Sequence, residues 1–177
     1  MEWTTELRYK RYEDWTEEEK KQIKENMAKS PWHTHYHVEP TSGLLNDPNG
    51  FSYFDGKWIL FYQNFPFGAA HGLKSWVQLE SDDLVHFNET GVKVFPDTPL
   101  DSHGAYSGSA MQFDDKLFLF YTGNVRDENW IRHPYQIGAL MDKEGKIEKI
   151  NKILIDQPAD STDHFRDPQI FNFKGQY

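Results

Sequence analysis

The sequence predicts an all-β fold, built as successive blades of a β-propeller behind one short N-terminal helix. Three observations carry that prediction. Aromatic residues make up 16% of the 177 positions, 13 Phe, 9 Tyr and 6 Trp, which suits packed, pleated strands. The segment "FDGKWILFY", starting at Phe54, returns as "FDDKLFLFY" at Phe113, 59 residues on, and as "FKGQY" at Phe173, 60 residues further. Each interval also holds two more strand-like runs, so one period carries four strands, the content of a propeller blade. A β-sandwich with accidental internal similarity is the competing architecture.

Residues 1–30 are expected to form an N-terminal helical extension. Thr16 and Glu19 make a capping box, acids lead, lysines trail, and Ser30-Pro31 ends the run, which predicts a helix over 16–29. It has few apolar positions and is expected to lie on the surface. Residues 31–177 are expected to form an incomplete propeller: blades 1, 2 and the start of 3. The first blade opens with a hairpin turning at Asp55-Gly56, followed by "LKSWVQLE" and "VKVF". The second turns at Asp114-Asp115 and continues through "QIGALM" and "KILI"; Lys174-Gly175 turns the third copy. "SDDLVHF" lacks the spacing of a calcium loop and reads as a hairpin turn. "HTHYH" sets His33, His35 and His37 at alternate positions; zinc would need a further ligand, so exposed or hydrogen-bonded histidines are expected, and no metal site.

Composition narrows the function. A net charge of −9 without a basic stripe argues against a nucleic-acid partner. The chain has no Cys, hence no disulfide or thiolate metal site, which suits a reducing compartment. The first residues contain no apolar signal-peptide core, and no apolar run reaches the length of about 18 residues that spans a membrane. A cytoplasmic location without membrane association is therefore expected, and no cofactor is expected.

The repeat also organises the polar motifs. Asp47, in "NDPNG", lies seven residues before Phe54; Ser107, in "AYSGS", lies six before Phe113; Asp167, in "FRDPQIF", lies six before Phe173. Asp-Pro and Asn-Gly are strong turn dipeptides, and Arg166-Asp167 taken alone reads as a local ion pair. Turn chemistry does not explain three polar motifs at one place in three successive blades. In a propeller those places converge around one mouth of the central channel.

The segments "YHVEPTSGLLNDPNGF", "FYQNFPFGAAHGLKSWVQLESDDLVHF", "DSHGAYSGSA" and "HFRDPQIF" resemble glycoside hydrolase family 32, the invertases and β-fructofuranosidases, in the family's order and spacing from about residue 30 onward. Within it, they are most similar to bacterial members acting on sucrose 6-phosphate. The resemblance implies a five-bladed propeller and hydrolysis of a β-fructofuranosyl bond of sucrose 6-phosphate or sucrose, with retention. It implies that Asp47 is the nucleophile and that Asp167 holds fructosyl hydroxyls and stabilises the transition state. It further implies that Asn46, Gln63, Ser107 and Arg166 line the fructose pocket. Phe65, Phe67 and Tyr106 are expected to offer apolar faces to the sugar. His71 stands where many members have Trp.

The family's acid/base Glu, in a Glu-Cys-type motif beyond Arg-Asp-Pro, has no counterpart in this sequence. The chain is thus expected to be a fragment, inactive alone and prone to self-association through an open blade edge. A non-catalytic sugar-binding propeller and a metal-dependent protein built on the histidines are the other function classes.

Overall fold

The computed structural model describes residues 2–177. Eight strands form two four-stranded antiparallel sheets, each in plain chain order. The first contains β1 (Leu44–Phe54), β2 (Lys57–Phe65), β3 (Ser75–Ser81) and β4 (Asn88–Val94); the second contains β5 (Ala105–Phe113), β6 (Lys116–Arg126), β7 (Arg132–Met141) and β8 (Ile147–Ile155). These are the two blades that the 59-residue repeat predicts. Asp55 and Gly56, at φ 47° and 82°, make the β1–β2 turn, a left-handed pair whose twist matches that of the flanking strands.

The blades meet along their first strands, β1 and β5. Asn49 Oδ1 accepts the Gly108 N–H at 2.9 Å, and the Trp76 indole donates to the Tyr106 carbonyl at 3.0 Å. Between the sheets, Phe61, Trp76 and Tyr121 form a continuous aromatic column, with ring centroids 5.5 and 5.7 Å apart and no measurable exposure. Truncating one of these rings to Ala costs about 3–5 kcal/mol. Gly50, at φ 55°, lies against this column; a Cβ there would come within 2.9 Å of the Phe61 ring.

Of the N-terminal extension, α1 spans Thr5–Arg8, a 3-10 turn spans Tyr12–Asp14, and α2 spans Glu17–Ala28. The capping box is present: Thr16 Oγ1 accepts Glu19 N–H at 3.2 Å and Glu19 Oε2 accepts Thr16 N–H at 2.7 Å. No residue of α2 is buried, in line with its sparse apolar content. The segment before it is fastened to the first blade. Trp15 stacks on Phe67 with centroids 4.4 Å apart, Trp3 meets the edge of Phe65, and the Tyr12 hydroxyl bonds Leu73 O and Ser75 Oγ.

The third copy of the repeat departs from expectation. "FKGQY" makes its Lys174-Gly175 turn and a single Phe173–Gln176 bridge, but no strand. The chain before it is instead tied to β5, where Ser109 Oγ donates to Pro168 O and accepts the Ile170 N–H. No helix among the described residues is long and apolar enough to cross a membrane.

Candidate active site

Asp47 is not in a turn. It is the extra residue of a β-bulge in β1, where pairing with β2 shifts between Asn46 and Pro48. Pro48 cannot donate to a ladder, so a bulge is a position that tolerates it. The bulge leaves Asp47 at φ 38°, and buried Asn49 braces it by donating from Nδ2 to Asp47 O at 2.8 Å. In β5 a matching irregularity between Ala105 and Gly108 accompanies Tyr106, which lines the cavity, and buried Ser107, whose hydroxyl reaches Asp47. Asp167 has φ 63°, and its N–H is held by Thr122 Oγ1 at 2.9 Å. A left-handed non-glycine residue costs on the order of 1–3 kcal/mol, so both aspartates are held in place by their surroundings.

A single-direction hydrogen-bond chain supports Asp47. Buried Lys74 donates from Nζ to Asn46 Oδ1 at 2.6 Å; Asn46 Nδ2 donates to Gln63 Oε1 at 3.0 Å; Gln63 Nε2 donates to Ser107 Oγ; and the Ser107 hydroxyl donates to Asp47 Oδ2 at 2.8 Å. Every donor in this series points toward the carboxylate. Burial pushes Asp47 up, but the bonds from Ser107 and Asn46 and the charges of Lys74 and Arg166 outweigh it, leaving the group below the ordinary aspartate value.

Asp167 shifts the other way. Half its side-chain surface is exposed and it borders the same cavity as Asp47; desolvation of the rest raises its pKa. Arg166, with Nε 3.4 Å from Oδ2, opposes the rise, and the Asp47 charge adds to it. Burial also lowers Lys74 to about 8 and lifts Tyr106 to about 12, so the Tyr106 hydroxyl stays a neutral hydrogen-bonding group. The Lys74 charge, then burial, lower His71.

These groups line one cavity of about 520 Å³, a size suited to a small sugar. Of the residues expected from the sequence, Asn46, Asp47, Gln63, Tyr106, Arg166 and Asp167 line it, and Ser107 reaches it through Asp47. His71 is there too. Phe65 and Phe67 are not: Trp3, Trp15 and Tyr12 cover them, which makes them the core of the joint with the N-terminal segment. His103 packs between Tyr9 and Trp130 and accepts the Arg126 N–H. His33 uses both ring nitrogens, on Glu39 and on Met27 O. Lys74, Arg8, Arg126 and Arg132 line the cavity without having been singled out from the sequence. Lys74 looks like an ordinary strand lysine, and Arg8 arrives from an element that no motif connects to the blades. A larger cleft of about 800 Å³ lies between α2 and the first blade, lined by Lys20, Lys24, Phe67 and Phe95 among others, and neither Asp47 nor Asp167 borders it.

Residues 37–177 match the N-terminal domain of glycosyl hydrolases family 32. Over 171 residues the chain is 72% identical to a sucrose-6-phosphate hydrolase of Streptococcus mutans serotype c, a match covering 97% of this chain and 36% of that protein. The solved sucrose-6-phosphate hydrolase from Lactobacillus gasseri superposes with a TM-score of 0.95 at 50% identity, over 98% of this chain and 36% of that one. A Bombyx mori β-fructofuranosidase solved with sucrose superposes with a TM-score of 0.72 at 30% identity, over 90% and 35% of the respective chains. The chain therefore spans a little over a third of the length of these relatives.

Proposed function

Because the chain belongs to glycosyl hydrolase family 32, we propose that the full-length protein cleaves the β-fructofuranosyl bond of sucrose 6-phosphate or sucrose with retention of configuration. The observation that carries this reading is the pair of carboxyl groups in one sugar-sized cavity, Asp47 held ionised and Asp167 raised. Asp47 attacks the fructosyl anomeric carbon and forms the covalent intermediate, for which it must be an anion. Asp167 and Arg166 bind vicinal hydroxyls of the fructosyl unit, while Asn46, Gln63 and Ser107 keep Asp47 aligned and Tyr106 offers an aromatic wall. Departure of the other sugar needs a proton donor. Neither aspartate takes that part, the first being ionised and the second committed to hydroxyl binding.

The relatives' names, the motif residues and the cavity chemistry support the same substrate class. The proposal extends to self-association of this chain through the open edge of the second blade, beside which Leu154, Ile155, Phe171 and Phe173 are exposed.

Fructose release from both substrates, followed by acid quench and peptide mass mapping, tests this reading. A fructosyl adduct on the peptide carrying Asp47 is expected. Sugar binding without fructose release would make the protein a binding module, and an adduct elsewhere would remove Asp47 as the nucleophile.

A further inference from the structure

The segment ahead of α2 does more than cover Phe65 and Phe67. Thr5, Arg8 and Tyr9 line the cavity that holds Asp47 and Asp167, although they lie far from every motif of the repeat. The segment also touches both blades. Arg11 donates to Pro96 O and Ser102 O, between the blades, at 3.0 and 3.1 Å. The Tyr9 ring packs against Trp130 of the β6–β7 hairpin and against His103, just before β5. Its tightest fit is to residues 66–74, which lead from β2 to Lys74. Two glycines there leave room for it: a Cβ on Gly72 would come within 2.5 Å of Arg8 O, and one on Gly68 would overlap the Trp3 ring.

Lys74 heads the hydrogen-bond chain that ends on Asp47, yet it stands just outside the sheet. The β2–β3 ladder begins only at Asn64–Ser75, so that ladder does not fix the Lys74 backbone. The N-terminal segment holds both of its neighbours instead. Arg8 O accepts the Leu73 N–H at 2.7 Å, and the Tyr12 hydroxyl lies 3.0 Å from both Leu73 O and Ser75 Oγ. A carbonyl only accepts, so the single phenolic proton goes to Leu73 and the Ser75 hydroxyl donates in return. One phenol thus bridges the residues on either side of Lys74, while Lys74 O accepts the Ala105 N–H at 2.9 Å. Leu73, Lys74 and Ser75 are all buried. A lysine side chain is a flexible stem, so the position of its ammonium depends on how firmly its backbone is held. A shift of about 1 Å would break the 2.6 Å bond to Asn46 and detach the chain from its charge. Building on the function proposed above, we propose that Tyr12, with the Arg8 carbonyl, is a positioning residue of the active site: it fixes the backbone around Lys74 and, through Lys74, keeps Asp47 ready to attack.

Lys74 faces Asp47, Asp167 and Arg166 across the cavity, with His71 on its own loop and the Tyr106 ring 5.9 Å away. Of the two aspartates, Asp47 is the one at the end of the hydrogen bonds that Lys74 begins. Burial pushes Asp47 up, and the bonds from Ser107 and Asn46 and then the Lys74 charge hold it down. Displacing Lys74 therefore lets the Asp47 pKa rise.

The test uses the full-length protein and Tyr12→Phe, which removes the hydroxyl and keeps the ring against Phe67. kcat/KM for fructose release should fall about 5–10-fold, mostly through kcat, and the acid limb of its pH profile should move to higher pH. Lys74→Met should move the limb the same way. Tyr12→Phe added to Lys74→Met should move it no further, because both act through one path. A melting curve shows that each variant folds; should Tyr12→Phe not fold, Ser75→Ala, which removes only the return bond, takes its place with the same expected sign. An acid limb left in place beside a lower melting temperature would make Tyr12 a structural contact and overturn the proposal. Shifts that add in the double variant would overturn it too. Failure of the wild type to release fructose would sink the proposed function instead. The brace is then decided by NMR titration after reductive methylation of the lysines with labelled formaldehyde. A signal titrating at about pH 8 and absent in Lys74→Met should titrate higher in Tyr12→Phe, as a loosened Lys74 regains water. An unmoved titration would overturn the brace.

Discussion

Asn46-Asp47-Pro48 and Arg166-Asp167-Pro168 are near copies in sequence, and both aspartates adopt left-handed backbone at the edge of one cavity. Their carboxyl groups are nevertheless driven in opposite directions. Asp47 sits in a strand bulge and receives a hydrogen bond at the end of a chain that begins on the buried Lys74 ammonium. Asp167 sits outside any ladder, anchored through its backbone to Thr122, and its nearest cation, Arg166, is itself partly exposed and so weakened by solvent. Ionisation here follows from which neighbours other strands bring, not from the local motif. One Asp-Pro carries a carboxyl held below the ordinary aspartate value, as the proposed nucleophile requires; the other is lifted by burial and by the first, which suits the hydroxyl binding proposed for it.

In the full-length protein, Asp47→Asn is expected to give the largest effect, a loss in kcat of about 10³-fold or more with KM within a few-fold, because a nucleophile contributes to the transition state. Near-normal turnover would erase the contrast between the two aspartates. Asp167→Asn should lower kcat/KM by about 100-fold, with kcat and KM both worsened, since hydroxyl binding acts in ground and transition states alike. A pure kcat effect would give it the same kind of role as Asp47.

Ser107→Ala sharpens the comparison through pH. The Ser107 bond favours ionised Asp47, so its loss raises that pKa and should move the acid limb of the kcat/KM profile to higher pH, with about a 10-fold fall in rate at neutral pH. An unmoved limb would mean that the hydrogen-bond chain does not set Asp47. The smallest effect concerns Lys74, whose burial puts its pKa at about 8. Above that pH its charge is lost, and kcat/KM should decline a few-fold; Lys74→Arg, which stays charged, should flatten that decline. Stability should run the opposite way. The folded state binds fewer protons than the unfolded chain between about 8 and the ordinary lysine value of 10.5, so this residue's contribution rises with pH across that window.

Much of the architecture was legible in the sequence because it is encoded locally. Turn pairs such as Asp55-Gly56 select hairpins, the Thr16–Glu19 capping box starts α2, and the repeat spacing sets two like blades side by side. The same periodicity led to Asp47, Ser107 and Asp167, and the resemblance to family 32 added Asn46, Gln63 and Arg166; with Tyr106, the fold gathers them at one cavity. Tertiary structure alone decided the rest. Trp3, Tyr12 and Trp15 turned Phe65 and Phe67 from candidate sugar contacts into core, because burial depends on what the distant N-terminal segment covers. Lys74, Arg8, Arg126 and Arg132 carry no motif, and their meeting depends on α1, β3 and the β6–β7 hairpin closing on one space. The opposite shifts of two matching Asp-Pro segments were equally invisible in one dimension, since desolvation and Coulomb interaction act through space and depend on distance between chain segments rather than on separation along the chain.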